Sequence, residues 1–163
     1  MPRSAAARSS RPTKLTASAI GMKPVAAGVN AAGKNDDVEM LVAASSVAAS
    51  PELVNPYCFP DPIAPHIAAQ EAGVAIEAGP ILTAMTTLSR QAEVVVVEGV
   101  GGFLVPLSET FDSADLAQAL ALPVVMVVGM RLGCLNHAQL TQEAIGWRQL
   151  KLAGWVANCI DPA

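Results

Sequence analysis

Val94-Val95-Val96-Val97-Glu98-Gly99-Val100-Gly101-Gly102 decides how this chain is read. Four consecutive valines with no polar alternation predict a strand buried on both faces, the pattern of a central strand in a parallel sheet. A carboxylate at the tip of such a strand, followed at once by glycine, stands where open α/β sheets bind ligands. An acidic side chain at that position can help hold the Mg²⁺ that accompanies nucleotide phosphates. The glycines behind it allow backbone to approach an anion closely. The alternative is a strand-end glutamate that only caps a turn, and the segment by itself leaves both readings open.

The rhythm on the C-terminal side of this stretch is regular. A strand over Val94–Gly99 leads to a helix from about Ser113, with Asp112 as its cap. Then come a strand over Val124–Gly129, a helix over Asn136–Leu150 and a strand over Ala153–Asn158. Such β-α-β-α-β alternation implies parallel strands joined by helical crossovers. On the N-terminal side, Ala19–Ala26 reads as a short strand presenting Lys23, and Asn35–Ser46 as a short helix led by Asp36 and Asp37. Pro51–Pro65 contains five prolines and is expected to be an irregular loop. Helices are expected from Pro65 to about Ala72 and from Gly79 to Ala92.

Charge is divided unevenly. Residues 1–35 carry six basic side chains and no acidic one, a net +6; the rest carries four basic and fourteen acidic ones, a net −10, which together make −4. A body this acidic argues against nucleic acid as partner. No apolar run reaches the roughly 18 residues of a membrane span, so no membrane role is expected. Cys58, Cys134 and Cys159 are far apart and without Cys-x-x-Cys spacing, which suits a reducing cytoplasm without structural disulfides or zinc. His66 and His137 lack metal-ligand spacing and are read as structural. Residues 1–18 read as a basic, disordered leader and residues 19–163 as one α/β domain.

Six segments resemble the ATP-dependent dethiobiotin synthetase family, in its order and with similar spacing. They are Gly21–Ala26, Asn55–Tyr57, Ala64–His66, Glu98–Gly102 with Pro106–Ser108, Leu132–His137 and Ala153–Asn158. The resemblance implies a parallel sheet flanked by helices, the Rossmann-like three-layer fold of P-loop NTPases. It also implies a ligase that closes a ureido ring from diaminopelargonic acid, CO₂ and ATP with Mg²⁺, acting as a homodimer in the cytoplasm. By this resemblance Lys23 is the catalytic lysine, and Asp37 and Glu98 contact Mg²⁺ and nucleotide. Gly99, Val100 and Gly101 complete the phosphate side, while Asn158 reads the purine edge with Cys159 beside it. Ala27 replaces a substrate-contacting serine. Leu132, Gly133, Cys134, Leu135 and Asn136 form the loop that reaches a substrate carboxylate across the dimer. Read locally, Lys23 is equally a solvated lysine, Asp36-Asp37 an acidic turn and Asn158 a cap.

The same resemblance exposes a departure. The family begins with a strand running into Gly-x-x-x-x-Gly-Lys-Thr, the loop that cradles ATP phosphates. Here the region from Met1 to Lys14 has no glycine, the first being Gly21. Gly28-Val-Asn-Ala-Ala-Gly33-Lys34-Asn35 fits most of that pattern. It places Asn where Mg²⁺ needs a hydroxyl, however, and follows Lys23–Val25 in a variable loop of the family, so it is read as coincidence. The chain is therefore expected to correspond to the middle of such an enzyme, truncated before the P-loop and after Ala163. The competing expectation is a catalytically impaired fragment or a non-catalytic relative that dimerises or binds small molecules. Exposed apolar faces are expected where the missing strand would lie.

Overall fold

Parallel pairing organises everything in the computed structural model, which describes residues 17–160. Strand β1 (Ala19–Met22) pairs with β4 (Val94–Val97), β2 (Val25–Ala27) with β3 (Tyr57–Phe59), and β5 (Val124–Gly129) with β6 (Leu152–Asn158). All three pairs are parallel, so each needs a crossover connection rather than a hairpin. The helices are α1 (Asp36–Ala44), α2 (Pro51–Val54), α3 (Pro65–Glu71), α4 (Ala78–Leu88), α5 (Ser113–Leu120) and α6 (Cys134–Trp147). The fold is α/β, with parallel strands and flanking helices. Among the described residues, no helix is long and apolar enough to cross a membrane.

Three local readings need correction. The strand expected over Ala19–Ala26 is broken at Lys23-Pro24, and its halves serve different partners. Proline has no N–H to give a ladder, so the chain leaves β4 after Met22 and joins β3 from Val25. The Pro51–Pro65 stretch is not irregular throughout. Pro51 occupies the first turn of α2, where its missing N–H costs nothing, and Tyr57–Phe59 forms β3 between Pro56 and Pro60. The helix expected to reach Ala92 stops at Leu88, and its last carbonyls are taken up by a turn through Arg90 and Gln91.

The capping chemistry of α5 is what the residues suggest. Asp112 accepts from the Asp115 amide at 2.7 Å, and Asp115 accepts from the Asp112 amide at 2.9 Å, a reciprocal box at the helix start. The α4 helix buries Ile81, Ala84 and Leu88 along one stripe. Together with Ile20, Met22, Val25, Phe59, Leu107 and Leu116 they form the core. The leader expected over residues 1–18 lies outside the described residues except at its end. There the Ser18 amide and hydroxyl both donate to Glu93 at 2.9 and 3.1 Å, so Ser18 already belongs to the folded unit.

The valine strand differs most from its sequence reading. Val94 is 42% and Val96 55% exposed, not buried. The exposure alternates along the strand, Val94 and Val96 exposed and Val95 and Val97 half-buried, so one face of β4 lacks a covering layer; its second edge also bonds no described strand. β5 likewise has β6 on one edge only. A cavity of about 1070 Å³ opens between the two strands, walled by Val95–Val97 on one side and Val124–Gly129 on the other. The exposed apolar faces expected from the sequence are therefore present, and they line this slot.

Candidate functional site

Register places the first two side chains of the site. Met22 stands opposite Val97, so the next residues, Lys23 and Glu98, leave the same end of two adjacent parallel strands. The Glu98 amide donates to Met22 O at 2.8 Å, extending the ladder one residue beyond the strand. The backbone of Lys23 is held on both sides. Its amide donates to Val54 O at 2.8 Å, and its carbonyl accepts from Asn55 Nδ2 at 2.6 Å. Asn55 also donates to Tyr57 O at 2.9 Å. No role for Asn55 was drawn from the sequence; the signal was an amide just before Pro56 at the entry to a strand.

Lys23 is 4% exposed and is the buried charged residue among those described. Its Nζ lies 2.7 Å from Glu98 Oε1, 2.9 Å from Asp37 Oδ2 and 3.2 Å from Gly99 O. An ammonium has three donors, and three acceptors meet it. Burial alone would lower its pKa. The hydrogen bonds to Glu98 and Asp37, with their negative charges, outweigh that effect and leave the pKa above the ordinary lysine value. Lys23 therefore stays charged at neutral pH. Glu98 and Asp37 are themselves about half exposed, so each gives one oxygen to the lysine while its carboxylate remains reachable from solvent.

Asp37 arrives from another element. It sits in the first turn of α1, capped by Asn35, whose Oδ1 accepts from Val38 N at 3.2 Å and whose Nδ2 donates to Gly28 O at 2.8 Å. The neighbouring Asp36 turns away to accept from Asn30 Nδ2 at 2.9 Å. Two adjacent aspartates that read locally as one acidic turn are thus divided, Asp36 to a surface turn and Asp37, the one singled out by the resemblance, to Lys23.

The Gly28–Asn35 segment lies between β2 and α1, the strand-loop-helix setting in which a phosphate loop would work. Its hydrogen bonds argue against that use. Amides of Ala32 and Lys34 donate to Asn30 Oδ1 at 2.9 and 3.2 Å, and Gly33 N donates to Asn30 O at 2.8 Å. Gly28 N and Val29 N donate to Phe59 O and Pro60 O, and Asn30 N to Lys34 O. Lys34 itself pairs with Glu39 at 2.7 Å. Six of its amides are thus engaged within the fold, and three acidic residues follow in the next helical turn, an arrangement that opposes rather than cradles phosphate.

Beyond Glu98 the loop is open. Gly101 adopts φ 72°, which favours glycine, and a side chain at Gly99 would meet nothing within 4 Å. Glu98, Gly99, Val100 and Gly101 line the slot between β4 and β5, and Cys134 lines its other wall. Gly133, at φ 90°, caps the start of α6. Leu132 and Leu135 flank it with side chains in solvent. Asn158 ends β6 opposite Gly129, and its carbonyl accepts from Met130 N at 2.7 Å; Cys159 follows, exposed. Ala27 ends β2 opposite Phe59. The structure thus joins Lys23, Asp37, Glu98 and Gly99 in direct contact. It sets Leu132–Asn136 after β5 and Asn158–Cys159 at the end of β6; the helix expected from Asn136 already begins at Cys134, so only Leu132 and Gly133 of the expected loop precede it.

Two hard oxygen donors converging on one cation suit Mg²⁺, which takes one or two carboxylates and fills its octahedron with phosphate oxygens and water. No cluster of three or more His, Cys, Asp or Glu side chains among the described residues could hold an ion unaided. Asp37 and Glu98 therefore fit a metal brought in on phosphates, not a closed protein cage.

The chain is similar to known proteins over most of its length. A family model described as an AAA domain matches residues 13–163. The chain is 58% identical over 149 residues to an ATP-dependent dethiobiotin synthetase of Aromatoleum aromaticum, covering 90% of this chain and 66% of that protein. It is 55% identical to the dethiobiotin synthetase of Nitrosospira multiformis over 143 residues, with 88% and 63% covered. It is also 55% identical to that of Ralstonia nicotianae over 144 residues, with 86% and 63% covered. The chain thus spans a little under two thirds of the length of these curated relatives.

Proposed function

The chain belongs to the AAA domain family, and from that premise we propose that it serves as an ATP-dependent dethiobiotin synthetase of biotin synthesis. The observation that carries the reading is the convergence of Lys23, Asp37 and Glu98 at the carboxyl ends of β1 and β4. In the proposed reaction one amine of diaminopelargonic acid adds to CO₂ to give a carbamate. The carbamate oxygen attacks the γ-phosphorus of ATP and releases ADP. The second amine then attacks the activated carbonyl, closing the ring and releasing phosphate.

This chemistry asks for alignment and charge neutralisation more than for covalent help. Lys23 is the group that holds the carbamate beside the γ-phosphate and balances charge as the phosphoryl group moves. Its buried stem and fixed backbone aim the ammonium. Asp37 and Glu98 are the residues that would hold Mg²⁺, which supplies neutralisation of phosphate charge when bound. Gly99, Val100 and Gly101 let backbone approach the phosphates, and Asn158 with Cys159 lies at the purine. Leu132–Asn136, a two-residue turn and the first residues of α6, is the segment proposed to reach substrate carboxylate in a homodimer, with Ala27 beside the substrate but lacking a hydroxyl. Small molecules are the partners, without nucleic acid or membrane, and the compartment is the cytoplasm. Residues 19–163 act as one α/β domain.

A second reading rests on a specific observation: among the described residues, neither the second edges of β4 and β5, which bond no strand, nor the Gly28–Asn35 segment supplies a phosphate cradle. On that reading, a polypeptide limited to these 163 residues binds ligands without turnover. The test is formation of dethiobiotin, ADP and phosphate from diaminopelargonic acid, bicarbonate and ATP. Lys23→Gln in a polypeptide that turns over is expected to lower the rate by about 10²–10³-fold, as for other lost transition-state donors. An unchanged rate would remove Lys23 from the mechanism.

A further inference from the structure

Lys23 and a metal ion would claim the same oxygens. The ammonium takes Glu98 Oε1 at 2.7 Å and Asp37 Oδ2 at 2.9 Å, and its third proton goes to Gly99 O at 3.2 Å. These are the two carboxylates that the proposed function assigns to Mg²⁺, and the inference rests on that assignment. Lys23 is not a mobile surface residue that a cation could brush aside. It is 4% exposed, and its backbone is clamped by Val54 O and Asn55 Nδ2. Charge reinforces the competition. Two carboxylates and one ammonium sum to −1, against −2 for the carboxylates alone, and a divalent ion entering beside the ammonium would face a like charge at close range. Mg²⁺ also sheds its water reluctantly, so half of a −1 site offers it little.

We propose that Lys23 is a resident counter-cation that guards the Asp37–Glu98 pair against free divalent metal. Metal enters only with polyphosphate oxygens that complete its coordination and give the displaced ammonium a new anion. The same lysine then passes from the carboxylates to the phosphates, so that loading of metal and nucleotide aims the catalytic cation.

The experiment measures Mn²⁺ binding by electron paramagnetic resonance in the absence of nucleotide, with circular dichroism to confirm folding. Lys23→Met removes the charge and keeps the length, and its carboxylate partners are already half solvated. It is expected to bind Mn²⁺ at least tenfold more tightly than the wild type. Lys23→Arg keeps the charge and is expected to gain nothing. Adding Glu98→Gln to Lys23→Met is expected to abolish the gain, which places the ion at this pair. Equal Mn²⁺ affinity in wild type, Lys23→Met and Lys23→Arg, lost in each on adding Glu98→Gln, would overturn the guard while leaving the carboxylates as metal ligands. Mn²⁺ binding that never depends on Glu98 would overturn the metal assignment and the guard with it.

Discussion

Two regions of this molecule are built from similar apolar strands and end with opposite burial. The first, β1–β4 with α1–α5, encloses Ile20, Met22, Ile81, Leu88 and Leu107 almost completely. The second, β5–α6–β6, has as regular a β-α-β order and an equally valine-rich strand, yet Ile145 is its one buried residue. Val125 and Val127 in β5 are 57% and 64% exposed. The difference teaches that hydrophobic content does not bury a strand. Burial needs a layer over each face: β1 pairs on one edge only, like β5, yet its Ile20 and Met22 are covered, whereas β4 and β5 turn exposed valines to the slot between them. The first region compensates with α2, α4 and α5; the second has α6 alone.

Filling the slot is the strongest way to break this contrast. An apolar strand ending in Gly-x-x-x-x-Gly-Lys-Thr, fused ahead of the chain, is expected to raise dethiobiotin formation by at least about 10²-fold over the 163-residue polypeptide. Fluorescence of a dye bound to exposed apolar surface is expected to fall with it. Comparable turnover by both polypeptides would mean that the phosphate site has been misplaced.

Core substitutions sharpen the contrast directly. Leu88→Ala in the first region is expected to lower stability by about 2–5 kcal/mol. Val127→Ala in the second is expected to stay within about 0.5 kcal/mol. Urea unfolding of both variants measures the two values, and equal losses would show that β5 is covered in solution.

The seam between the regions offers a smaller effect. Arg148, just past α6, donates to Asp112 at 2.7 Å and to Asp115, both at the start of α5. Gln118 Nε2 returns a bond to Arg148 O at 2.9 Å. These groups are about a third exposed, so Arg148→Ala is expected to cost about 1 kcal/mol. Hydrogen exchange should speed up in α6 more than in α4; uniform change would place the seam elsewhere.

The smallest expected effect is a pH dependence at the same seam. The Asp112 amide, then Arg148, hold the Asp115 carboxyl below the usual aspartate range, although burial works against them. A depressed folded pKa contributes stability that is fully present above the unfolded value of about 3.9. It is lost as pH falls through the lower, folded value. The urea midpoint should therefore decline below about pH 4, and less steeply in Asp115→Asn. Equal slopes would assign the acid loss to other carboxylates.

Glu98 was legible locally, as a carboxylate closing a run of valines, whereas the roles expected of Lys23, Asp37 and the other site residues came from the family resemblance. Outside the site, Asp112 was legible as a helix cap. Asn55 was not legible, because an amide before a proline says nothing about which distant carbonyl it will reach. Asp37 was preferred to Asp36 only through the family resemblance, because the local pattern shows no more than an acidic turn: one residue of helical rotation separates a surface turn from Lys23, and packing sets that rotation. Gly28–Asn35 carried a motif-like pattern that its own hydrogen bonds annul, since spacing records residue types and not where the amides point.

The sequence by itself determined the α/β order, the parallel character of the strands and the end of the sheet at which charge gathers. Each of these follows from periodicity, strand length and the chemistry of residues next to one another. Only the tertiary structure decided that Ala19–Ala27 serves two partners, that Lys23 is buried with every donor satisfied, and that the valines of β4 and β5 face a slot. Those outcomes depend on which edges pair across some 75 residues of chain, from Lys23 to Glu98. Edge pairing is set by the sum of many long-range contacts, which no local pattern encodes.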